Sequence, residues 1–143
     1  MNRLSRRPTL FVSALLMACQ TAQAHELDGT WVNEAGSAVE IAVAEDGRLS
    51  GVYRTELGAP DAQEGFALTG WVQGDVVAFS VSFTGFGSIT SWSGQMSEDE
   101  DGLFLRTLWH YTKDIPDADE AEDLWRTVNA GFAVFRPAET EAG

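Results

Sequence analysis

Past residue 24, apolar and polar positions alternate in a succession of short segments. This two-residue period belongs to half-buried strands. Residues 29–33 (Gly-Thr-Trp-Val-Asn) make a first short strand, ended by Glu34-Ala35-Gly36. Residues 37–44 set Val39, Ile41 and Val43 against Ala and Glu, and Asp46-Gly47 then marks a hairpin. Residues 49–55 return with Leu49, Gly51, Tyr53 and Thr55 on one face. A loop over 56–65, rich in turn formers, leads to strands at 66–73 and 75–84 around Gly74-Asp75. A sixth strand covers 87–95 and a seventh 103–112, joined by the acidic turn 98–102. Residues 117–126 lack alternation and carry good helix formers, which predicts a helical turn or two. The last strand is expected at 131–136, stopped by Pro137, with a frayed tail over 138–143.

Eight short strands with tight turns predict an all-β fold. Short connections favour next-neighbour pairing, hence an eight-stranded antiparallel up-and-down barrel. Such a barrel has no edges and has room for one small ligand.

The first 24 residues stand apart. Arg3, Arg6 and Arg7 precede an apolar run from Leu10 to Ala18, and Ala22-Gln23-Ala24 has the small-x-small form of a cleavage site. A secretory signal peptide cleaved between Ala24 and His25 is expected, giving a secreted or periplasmic protein with its barrel over 25–137. Cleavage removes Cys19, the only cysteine, so no disulfide is available. It also takes the net charge from −13 to −16, because the leader holds three Arg and no acid. That charge argues against nucleic acid and anionic membrane as partners.

The sixth strand carries the candidate chemistry. Ser88, Thr90 and Trp92 share one face and Ile89, Ser91 and Ser93 the other. Two hydroxyls and an indole in a row suit the wall of a small-molecule site, where a few polar groups orient a largely apolar pocket. His25 and His110 sit at no metal-ligand spacing with other donors, so no metal is expected. The chain has no glycine-rich phosphate loop and no serine elbow.

Gly29-Thr30-Trp31-x-Asn33-x-x-Gly36-Ser37, Leu49-Ser50-Gly51-x-Tyr53, Leu68-Thr69-Gly70, Thr90-x-Trp92-Ser93-Gly94-Gln95, Trp109, Trp125 and Phe135 occur in the order and spacing of the avidin/streptavidin family. The chain resembles that family up to Pro137. The resemblance implies a binding protein and no enzyme, with biotin as the ligand in the barrel's open end and no further cofactor. Asn33, Ser37 and Tyr53 match the donors around the ureido oxygen, and Thr55 an acceptor for a ureido N–H. Thr90 matches the hydroxyl near the ring sulfur. Ser88, with Gly58 and Ala59 beside Leu57, matches contacts to the carboxylate tail. Phe83, Trp92 and Trp109 match the apolar walls. Trp125 matches the indole that reaches a neighbouring subunit's site, which implies a homo-oligomer, a tetramer before a dimer.

Two positions depart from the family's pattern. Phe83 replaces a Trp, and Ala133 stands where an Asp or Asn accepts the second ureido N–H. Asn129, on the same strand parity, is the compensating acceptor the sequence offers. These departures leave room for an alternative, a barrel that takes another heterocycle or acts as an inhibitor-type protein-binding module.

Overall fold

The computed structural model describes residues 26–55 and 65–139. The leader over 1–24, His25, the loop positions Leu57, Gly58 and Ala59, and the last tail residues, 140–143, lie outside the described residues. Eight antiparallel strands pair strictly with their chain neighbours: β1 (Gly29–Asn33), β2 (Ala38–Val43), β3 (Arg48–Arg54), β4 (Phe66–Gln73), β5 (Val76–Phe83), β6 (Ser88–Asp99), β7 (Gly102–Lys113) and β8 (Val128–Pro137). Pairing of β8 with β1 closes the sheet into an up-and-down barrel. A short helix α1 (Glu120–Asp123) and a 3-10 turn (Leu124–Arg126) occupy the β7–β8 connection, as the loss of alternation there predicts.

Turn chemistry sets the pairing. After β2, the Gly47 N–H donates to Ala44 O at 2.9 Å, and Gly47 takes φ +82°, a region that suits glycine. The acidic turn is tighter than expected. Asp99 pairs with Gly102, so Glu98 and Asp99 extend β6 and only Glu100 and Asp101 make the turn. β8 also starts earlier, at Val128. Its first residues, Val128, Asn129 and Ala130, pair with Thr112, Tyr111 and His110 of β7, and that long partner supplies backbone bonds that local propensity does not foresee. At the other end of β8, Ala138 still donates its N–H to Thr30 O at 2.8 Å, so the tail frays later than expected.

Alternation sorts side chains into a filled half and a hollow half. Trp31, Val39, Leu49, Phe79, Leu105 and Phe135 fill the end where β1 begins. Leu27, fully buried just before β1, plugs that end and accepts the Trp31 indole N–H at 2.9 Å. Each such large side chain contributes about 1.5–3 kcal/mol on burial. Phe79 stacks on Trp92, with centroids 5.0 Å apart and planes 18° from parallel, and forms a floor between the two halves. At the closed end, Arg136 of β8 crosses the Phe104 ring, 5.4 Å from its centroid, and makes a two-pronged ion pair with Asp99 at 3.1 and 2.6 Å. β1 and β8 share three register pairs, against twelve between β6 and β7.

Candidate ligand-binding site

Above the Phe79–Trp92 floor, the barrel opens into a cavity of about 500 Å³, within the range of small-molecule sites. It lies where β1, β3, β5 and β7 end and β2, β4, β6 and β8 begin. Ser88, Thr90 and Trp92 all point into it and are buried, while Ile89, Ser91 and Ser93 face outward. The polar–aromatic face expected from β6 is therefore a wall of this cavity.

The β1–β2 turn organises the polar corner. Asn33 Oδ1 accepts the N–H groups of Ala35 (3.0 Å) and Ser37 (2.9 Å), the backbone pattern that makes this asparagine a turn former. With its oxygen so engaged, the Asn33 carboxamide meets the cavity as an N–H donor. Ser37, 1% exposed, donates its hydroxyl to Thr55 Oγ1 across the β2–β3 pair at 2.9 Å. Tyr53 stands between them on β3. Its ring packs edge-on against Phe83 (5.7 Å) and tilted against Trp92 (5.2 Å), which fixes the direction of the phenol. Three neutral side chains able to donate hydrogen bonds thus line one corner of an aromatic chamber. They suit a carbonyl oxygen, because several donors on one acceptor reinforce each other in a low-dielectric site.

Trp109 forms the facing wall. It is the register partner of Gly131, and its indole lies where a side chain at 131 would stand. Phe83 keeps an apolar wall on β5 and packs on Phe66 at 5.0 Å. The turn at 84–87 is as short as expected. It places Phe86 against Phe66 at 5.9 Å, at the rim of the cavity.

Asn33, Ser37, Tyr53, Thr55, Phe83, Ser88, Thr90, Trp92, Trp109 and Ala133 all line this one cavity. Trp125 does not. It sits on the 3-10 turn, 79% exposed, and contributes nothing to its own barrel's site. Trp71, on the outer face of β4, is 56% exposed beneath the Arg48 guanidinium, whereas Trp31 and Phe135 are core.

Asn129, the compensating acceptor offered by the sequence, also lines the cavity, as do Glu34, Ala35, Phe66, Phe86, Tyr111 and Phe132, which were not singled out as contacts from the residues alone. Phe66 and Tyr111 carry the strand parity that could have found them. Glu34 looks like an ordinary turn residue. Yet it is the one charged side chain among the described lining residues, and its Oε2 accepts the Val134 N–H of β8 at 3.1 Å. Asn129 sits at the rim, four residues from Ala133. At the rise of an extended strand that is about 13 Å, too far to replace an acceptor at 133. Among the described residues, no group of three or more His, Cys, Asp or Glu is placed to hold a metal.

The fold has counterparts among solved structures. Xenavidin is 27% identical, with a TM-score of 0.67 over 81% of this chain and all of that one. Rhizavidin, solved as a complex with biotin, is 24% identical, with a TM-score of 0.65 over 78% of this chain and 92% of its own. The Avidin family model matches residues 21–138. With that match spanning most of the sequence and the barrel closed strand for strand, the chain belongs to the avidin family.

Proposed function

We propose that this is an exported, non-enzymatic protein that holds biotin non-covalently in the open end of its barrel. One observation carries the reading: Asn33, Ser37 and Tyr53 together line the polar corner of an aromatic cavity of about 500 Å³. The ureido oxygen of biotin takes that corner. Asn33 gives a carboxamide N–H, Tyr53 its phenol, and Ser37 turns its hydroxyl proton from Thr55 to the ligand; hydroxyl rotors adapt in this way. Thr55 accepts one ureido N–H. The bicyclic ring stacks among Phe83, Trp92 and Trp109, Thr90 meets the sulfur, and Ser88 meets the carboxylate tail. Leu57, Gly58 and Ala59 complete the tail's surroundings in this reading. The barrel walls are fixed by the sheet, so little ordering cost opposes binding.

We further propose a homo-oligomer, a tetramer before a dimer, in which Trp125 closes a neighbour's site. Trp125 is exposed on its own barrel, and Trp71, Val76, Leu108 and Phe132 expose apolar surface along the outer faces of β4, β5, β7 and β8. Contiguous apolar surface of this kind marks association sites.

Biotin titrated into micromolar protein, followed by calorimetry and tryptophan fluorescence, tests the main reading. Heat release with one site per chain and a change in indole emission are expected. No heat and no emission change would overturn it.

A further inference from the structure

The corner that takes the ligand's carbonyl has donors enough, but the facing wall is short of an acceptor. The ureido group presents two N–H groups. Thr55 serves one, and Ala133 offers the other only a methyl. The neighbouring polar atoms are engaged or remote. Asn33 Oδ1 already holds two backbone N–H groups. Thr107, the register partner of Ala133, is 1% exposed, donates its hydroxyl to Ala133 O at 3.0 Å and is not among the residues that line the cavity. Asn129 is about 13 Å up the strand.

Glu34 meets the requirement. The β1–β8 ladder ends at the pair Asn33 and Phe135. One step further, the exposed Glu34 carboxylate accepts the Val134 N–H at 3.1 Å. Val134 directly follows Ala133, so the carboxylate is anchored beside the missing side chain, and both residues line the same cavity. A carboxylate has two oxygens and about four lone-pair sites. Oε2 is spent on β8, and Oε1 bonds to no described residue.

Resting on the biotin reading, we propose that Glu34 is the acceptor for the second ureido N–H. The acceptor has moved from a side chain on β8 to a carboxylate that bridges β1 and β8. An ionised acceptor makes the stronger kind of hydrogen bond, and it favours ligands with an N–H at that position over those without one.

The test compares the wild type with Glu34→Gln and Ala133→Asp, each titrated with biotin and with biotin methylated at that ureido nitrogen, after a melting curve for every variant. In Glu34→Gln, the amide oxygen keeps the Val134 N–H and turns an NH₂ toward the ligand's N–H. Biotin affinity is expected to fall about ten- to a hundredfold, while the methylated ligand, weaker throughout, binds both proteins alike. Ala133→Asp should gain little in the wild type but recover most of the loss in the Glu34→Gln background. Equal biotin affinity in wild type and Glu34→Gln would overturn the assignment, as would an equal loss for both ligands. If Glu34→Gln melts early, Ala133→Asp alone decides, because a hundredfold gain in the wild type would mean that nothing serves that N–H. Wild type that binds no biotin is a separate result, and it fails the function rather than Glu34.

Discussion

The indole of Trp109 lies across Gly131, its partner on β8, in the space a Cβ there would occupy. The glycine therefore sets how deep this wall of the cavity stands. Gly131→Ala forces the ring inward or out of its rotamer, at about 1–3 kcal/mol. Ligand affinity should fall about tenfold or more, with a shifted indole emission. Calorimetry and fluorescence on the folded variant check it.

Asn33 allows a change of polarity without a change of shape. Asn33→Asp keeps an oxygen for the Ala35 and Ser37 N–H groups, so the turn and the melting temperature should persist. It also puts an acceptor where the ligand carbonyl needs a donor. Biotin affinity should drop by well over tenfold, since an unmatched polar contact costs about 1–3 kcal/mol before repulsion is added. A variant that binds like wild type would remove Asn33 from the donor set.

Trp125 separates assembly from pocket chemistry. Trp125→Ala should speed biotin dissociation at least several-fold in stopped-flow displacement while leaving the melting temperature of the barrel within a degree or two, roughly, because an exposed side chain contributes little to its own fold. Leu108→Glu, on the exposed outer face of β7, should lower the mass seen by sedimentation. An assembly unaffected by Leu108→Glu would place the interface elsewhere.

Acid stability has a definite sign at the closed end. The Arg136 guanidinium holds the Asp99 carboxyl below its ordinary value, and Asp99 in turn raises Arg136. A carboxyl depressed in the folded state stabilises it above the unfolded value, about 3.9. That contribution is lost as pH falls through the lower folded value. Wild type should therefore melt slightly above Asp99→Asn at pH 6, with the gap closing toward pH 3. The pair is open to solvent on one side, so the gap is small and shrinks further in salt.

Much of this arrangement was legible in the sequence because strand parity is rigid. Once Ser88, Thr90 and Trp92 are on one face, closure of the barrel turns them inward together. The start of β8 was not legible, since Asn129 and Ala130 form strand only because β7 is long enough to pair with them. Glu34 was hidden for a related reason. Its partner, Val134, lies 100 residues away, and only closure of the barrel brings them together. Trp125 is read as a contact through the resemblance alone, and in a single barrel it is exposed and stands apart from the site.

The brief β1–β8 ladder has a kinetic consequence. Three register pairs join the chain's first and last strands, and a barrel that unravels from its ends separates there first. Asn33 stands on one side of that junction and Ala133 on the other, with the Glu34 carboxylate across it. A ligand seated between them ties the first and last strands together across that short junction. Its binding energy then acts as a clasp on the unfolding barrier, so bound protein should outlast free protein on heating by more than its site occupancy alone would give.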